Sequence, residues 1–196
     1  GDALAHRLGL RRCPPILMID APLMPMLWAV GCRPSLILPS TLWKTLDKRQ
    51  QAMLMTHELA HLRRGDHWVR LFELAVTALF WWLPVVWWAR NALRDAEEDC
   101  CDAWVVWAFP QYARSYAETL LDTVDFLNPT SAKEPLMACG FGRAHHLRRR
   151  LTMIMTGNSS RRLSWASALG AVAVSSILLP IAPTWARNAL DDAKKT

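Results

Sequence analysis

The five cysteines, Cys13, Cys32, Cys100, Cys101 and Cys139, are odd in number, form no C-x-x-C, and include one adjacent pair. That pattern argues against a disulfide framework and a zinc ribbon, and points to reduced thiols on a cytosolic face. The sequence shows no internal repeat. No cleaved signal peptide is read in the long apolar run near residue 170, which is internal. A starting Met is also absent, as in a fragment of a longer membrane protein. Tyrosine and phenylalanine are scarce, at 2 and 5, whereas tryptophan reaches 11. Acidic residues are outnumbered, 17 against 23 Lys and Arg, for a net charge of +6. No nucleic-acid fold signature accompanies that charge, so a direct nucleic-acid contact is not expected.

What is present is apolar and unevenly spread. Apolar residues make up 52% of the 196, which excludes a disordered chain. Two uncharged runs dominate. Leu74 to Ala89 reads LAVTALFWWLPVVWWA, and Leu163 to Ala186 reads LSWASALGAVAVSSILLPIAPTWA. At about 1.5 Å per residue the second is long enough to cross a hydrocarbon core of about 30 Å. Trp165 and Trp185 stand near its ends, where interface anchors belong. Arg143, Arg148, Arg149, Arg150, Arg161 and Arg162 precede it. The positive-inside rule therefore places the preceding chain in the cytoplasm and the C-terminus outside. The basic clusters suit anionic lipid better than nucleic acid.

The remaining pattern predicts an α+β chain, mainly α with a small β-sheet. PPILMI and RPSLILP are short, Pro-bounded and read as strands, expected at an edge. Gly31 and Pro34 mark the turn between them. Asp47 with Gln50 forms a capping-box pattern opening a helix from about Lys48 to Arg64, stopped at Gly65. Asp66 can cap a next helix to about Leu83, and Pro84 can open another to about Ala108. Pro110 opens a further helix to about Leu127. A loop from Asn128 to Gly142 then leads to a basic helix, Arg143 to Thr156.

The chemistry lies on the Lys48 helix, in His57-Glu58-Leu59-Ala60-His61. Histidines at i and i+4 share a face and can reach one metal ion, and Glu58 can serve as base toward a metal-bound water. Zinc suits this set, since it accepts imidazole and tolerates an open fourth position. A third ligand is needed. Glu98 and Asp102 are i and i+4 on a downstream helix. Glu98 is the preferred ligand and Cys101 the alternative. Asp102 can then accept the free N–H of a ligating histidine, and Asp66 is a second carboxylate for that supporting role. His6, His67, His145 and His146 lack ligand spacing. If Glu98 joins His57 and His61 on one metal, the chain between must leave and return on the same side. The Trp-rich run is then expected to form a hairpin bent at Pro84, over about residues 67–97, dipping into the membrane.

His57-Glu58-Leu59-Ala60-His61, Arg64, Asp66, the WWLPVVWWA segment and Glu98-x-x-Cys101-Asp102 together resemble the BlaR/MecR antirepressor metallopeptidases. Gly31-x-x-Pro34-x-x-Ile37-Leu38-Pro39 and the basic helix before the last apolar run are also similar to that family, over most of residues 10–160. The resemblance implies an integral-membrane zinc protease of the gluzincin type. It implies zinc held by His57, His61 and Glu98, with Glu58 as base. It also implies an extracytoplasmic sensor that signals to a cytoplasmic protease, whose action removes a transcriptional repressor. The expected organisation is a zincin-like cytoplasmic peptidase domain over residues 1–160, a transmembrane helix over 161–187 and an extracytoplasmic stub over 188–196. The expected partners are a protein substrate, the bilayer, and the parent chain's N-terminal membrane helices and C-terminal sensor, at a bacterial-type inner membrane. A substrate segment is expected to add to the strand Ser35, Leu36, Ile37 and Leu38. Tyr112, Tyr116, Arg114 and His146 are the conceivable oxyanion donors. The competing readings are a membrane quality-control zinc protease without a sensor role, and a catalytically silent zinc-containing transducer.

Overall fold

The structure is a computed structural model that describes residues 1–29, 34–127 and 141–156, with side chains of the last helix from His146 onward. The chain divides into two units, Gly1–Arg161 and Arg162–Thr196, and every described residue belongs to the first. The transmembrane segment expected over 161–187, the stub over 188–196 and the loop residues 128–140 lie outside the described residues. Among the described residues no helix is long and apolar enough to cross a membrane.

The order is α1 (Asp2–Arg7), β1 (Ile16–Ile19), β2 (Met26–Trp28), β3 (Ser35–Pro39), α2 (Ser40–Thr45), α3 (Lys48–Arg64), α4 (Asp66–Leu79) and α5 (Pro84–Ala108). A 3-10 turn (Pro110–Tyr112), α6 (Ala113–Leu127) and α7 (Phe141–Thr156) follow. This is a mainly helical chain with one small three-stranded sheet. The expectation that Ser35 to Leu38 lies at an edge is overturned. The sheet order is β1-β3-β2, so β3 is central, parallel to β1 and antiparallel to β2. The reason is packing. Leu36 and Leu38 are fully buried with Met55 of α3, and such a strand stabilises most when both flanks are covered. Burial of each leucine contributes about 2 kcal/mol. Besides the short helices α1 and α2, the element that the sequence did not announce is β2. Its three residues are too few for a periodic signal, and they form a strand only by pairing with β3.

Helix α3 is the spine. Asp47 accepts from the backbone N–H groups of Arg49 and Gln50, and the Gln50 side chain accepts from the Asp47 N–H. Gly65, at φ 74°, ends the helix in the left-handed conformation that costs glycine least. Everything from Met53 to His61 is buried. Leu59 packs on Ala5 of α1 and on Leu8 just after it, and Leu54 packs on Leu42 and Leu46. Met53 packs on Val105, Tyr116, Leu120 and Ile154 from α5, α6 and α7. So much apolar cover around one helix leaves its polar residues in a dry setting, where each must be paired.

Between α3 and the buried half of α5 the chain makes a helical hairpin. Helix α4 ends at Leu79, residues Phe80–Leu83 turn, and Pro84 starts α5 with the φ that a first helical turn requires. Glu73 clasps Arg90 and Arg94 across the pair, at 2.5 and 3.2 Å. Asp66 does not cap α4 as expected. Gly65 holds that position, and the Asp66 side chain is turned into the core.

Candidate metal centre

Helix α3 presents His57 and His61 one turn apart, with ring centroids 5.1 Å apart and the planes near perpendicular. Helix α5, returning from the hairpin, brings Glu98 opposite. Its carboxylate lies 3.3 Å from His57 Nε2 and 3.7 Å from His61 Nε2. One ligand atom from each of the three residues lies within 4.8 Å of the others. Glu98 keeps some solvent exposure, whereas both histidines are nearly buried. The three therefore face a cavity of about 370 Å³, which Glu58 and residues Met24 to Leu27 of the β2 strand and its approach also line.

The opposite nitrogen of each ring is held from behind. His61 Nδ1 is 2.8 Å from Asp66 Oδ2, and Asp66 is in turn bound by Arg64 Nε at 3.0 Å. A carboxylate only accepts, so Nδ1 carries a proton and Nε2 is turned toward the cavity. His57 Nδ1 is 2.8 Å from the Tyr116 hydroxyl and 3.2 Å from Asp102 Oδ1. Tyr116 donates to Asp102 at 2.6 Å, which leaves its oxygen to accept from Nδ1–H. Both rings are thus turned so that Nε2 faces the cavity, where it can bind a cation once it carries no proton. Asp102 also takes two hydrogen bonds from Arg150, at 2.7 and 2.8 Å. Glu97, next to the proposed ligand, points elsewhere. It is buried and faces Arg70 at 3.4 Å.

The electrostatics follow from these contacts. Burial disfavours a charged His57, but hydrogen bonds and attraction from Asp102 and Glu98 outweigh it and raise the ring to about 10. The pocket therefore favours positive charge at this position. Burial alone would raise Glu98 and Asp102. His57 and Arg150 pull both below the usual carboxylate range, Asp102 to about 2. Glu58 moves the other way, because burial raises it more than His57 and His61 lower it. A carboxyl shifted toward neutrality is suited to accept and return a proton.

The structure brings together His57, Glu58, His61, Glu98, Asp102 and Asp66. It does not bring the Ser35 to Leu38 strand to the cavity, which β2 lines instead. Cys101 meets His61 at Nδ1, 3.4 Å away and on the side of Asp66. His61, Asp66 and Cys101 also form a compact trio. There, however, the ring nitrogen is committed to Asp66, and burial pushes the thiol far above its ordinary value. Tyr116, considered as an oxyanion donor, is fully buried behind His57. Arg150 went unassigned. Nothing in a run of three arginines marks which one turns inward.

Two imidazoles, a carboxylate and an adjacent buried carboxylate base form the donor set of a mononuclear hydrolytic metal centre. The sequence profile described as BlaR1 peptidase M56 matches residues 3–154, and the chain belongs to that family. It is similar to the regulatory protein BlaR1 of Bacillus licheniformis, 26% identical over 140 residues. That match covers 70% of this chain and 23% of the relative, so the chain spans about a quarter of the relative's length.

Proposed function

We propose that the chain is the catalytic part of a membrane-associated zinc metalloendopeptidase with a zincin-like core. In this reading it acts in signalling and cleaves a cytoplasmic protein, such as a transcriptional repressor or the parent chain itself. One observation carries the reading: two Nε2 atoms converge on the Glu98 carboxylate while each Nδ1 is tied to an acceptor behind it. The donor set fits zinc, with His57, His61 and Glu98 as its protein ligands. Bound there, zinc supplies Lewis-acid polarisation of a scissile carbonyl and a more acidic water. Glu58 takes the proton of the attacking water and delivers it to the leaving amine nitrogen. Asp66 and Asp102 hold the two rings in place throughout. The substrate backbone adds along β2, the sheet edge that lines the cavity, and not along β3.

The membrane part of the reading rests on the hairpin. Phe72 and Trp88 are each 71% exposed, and Trp68, Leu74, Leu79, Trp81 and Trp82 are more than half exposed. An apolar surface this continuous calls for a non-aqueous partner. Tryptophan at the tip suits the bilayer interface. The proposed location is the inner membrane of a bacterium, with the peptidase facing the cytoplasm.

Metal analysis of the purified protein and its His61→Ala variant tests the chemistry. One zinc per chain, lost in the variant, is expected; a zinc-free wild-type protein overturns the reading. Thiol labelling of cysteines introduced at the two ends of the hairpin tests the topology, and labelling from opposite faces of the membrane excludes a returning hairpin.

A further inference from the structure

We infer that Arg150 is a positioning residue for the metal centre, set in place by the docking of α7 on α5; this rests on the metallopeptidase reading above. The guanidinium reaches two carboxylates at once. Nε and Nη2 bind the two oxygens of Asp102 at 2.7 and 2.8 Å, and Nη1 lies 3.1 Å from Glu98 Oε2. That same Glu98 oxygen is the one 3.3 Å from His57 Nε2. Arg150 therefore fixes the rotamer of the third ligand and, through Asp102, the ring of the first.

The geometry needs arginine. Three nitrogens in one rigid plane span two carboxylates one helical turn apart, whereas an ammonium is a single point of charge. Arg150 is also 8% exposed, so its charge is retained there only because both carboxylates face it.

The rest of α7 serves the docking. Asp95, Glu98, Asp99 and Asp102 recur at i, i+3, i+4 and i+7, which places them on one stripe of α5. His146 pairs with Asp95, Arg149 pairs with Asp99, and Arg150 closes the stripe at the metal end. Ile154 inserts into the cluster around Met53 and Tyr116. The centre is thus completed by a helix 48 residues further along the chain from Asp102. A displacement of α7 removes the arginine from both carboxylates together.

The test compares Arg150→Gln, Arg150→Lys and the exposed neighbour Arg148→Gln in the full chain. Zinc affinity is read by chelator competition, alongside kcat and KM on a cleaved substrate. Arg150→Gln is expected to weaken zinc binding about 10- to 100-fold and to lower kcat with KM little changed. Arg150→Lys, which keeps the charge, is expected to recover only part of the loss. Arg148→Gln is expected to bind zinc as wild type does. Wild-type zinc affinity in folded Arg150→Gln overturns the proposal. If that variant does not fold, wild-type affinity in Arg150→Lys overturns it. Failure of the metallopeptidase reading is separate, because it appears as a wild-type protein that binds no zinc.

Discussion

Helix α5 carries two opposite surfaces along one axis. Near its start Val85, Trp87 and Trp88 stand exposed, while toward its end Glu97, Cys100, Cys101 and Asp102 are buried. The usual order, apolar inside and charged outside, is reversed along a single helix. The buried end keeps its charge because partners are supplied from elsewhere. Asp102 meets Arg150 and Tyr116, and Glu98 meets His57, His61 and Arg150. The exposed end has no such requirement. Its backbone is satisfied within the helix, and its side chains stand exposed, as the proposed membrane contact requires. What differs is the origin of the stabilisation, which is internal at the centre and, in the proposed reading, external at the tip.

The comparison breaks most sharply at Glu58. Glu58→Gln removes the base and keeps the shape, so kcat is expected to fall by about 10²- to 10⁴-fold with zinc content unchanged. Comparable cleavage by the variant would sink the mechanism. Asp102→Ala leaves the buried Arg150 with Glu98 as its one remaining carboxylate partner among the described residues, and a loss of about 3 kcal/mol in unfolding free energy is expected, read by denaturant titration. The pH dependence has a definite sign. The Asp102 carboxyl is held at about 2, below its ordinary 3.8. Its contribution is therefore complete above pH 3.8 and is lost as pH falls through about 2. The stability gap between wild type and Asp102→Asn should close over that window.

At the other end of the helix the expectations invert. Trp82→Ser with Trp88→Ser should leave unfolding within about 0.5 kcal/mol. The pair should weaken vesicle binding on the order of tenfold, measured by flotation. A large loss of stability with unchanged flotation would mean that the tip is core and not a membrane contact. The smallest effect belongs to a site remote from both ends. Asp47→Ala breaks the capping box and should cost about 1 kcal/mol, with zinc affinity unaltered.

Much of the local structure could be read from residues a few positions apart. Asp47, Gln50 and Gly65 bound α3, and Pro84 starts α5, because caps and breakers act within one turn. Glu98 and Asp102 fall on one face for the same reason. Of the short elements, β1 and β3 were legible as strands bounded by proline, whereas α1, α2 and β2 were not. β2 has no periodicity of its own, and β3 is central only because Leu36 and Leu38 have α3 to pack on. Asp66 was readable both as a cap and as a supporting carboxylate, and it takes only the second role, as acceptor for His61, a choice that depends on where the ring turns. Tyr116 and Arg150 carried no signal, since each acts only on a residue from another helix.

The sequence by itself determined the chemistry available here: two imidazoles and a base on one helical face, and a carboxylate pair on another. Local spacing alone sets such faces, through a period of 3.6 residues. Only the tertiary structure decided which nitrogen of each ring is free, which arginine reaches the ligand, and which strand borders the cavity. Those outcomes depend on the relative placement of α3, α5, α6 and α7, which is fixed by packing between segments far apart in the chain.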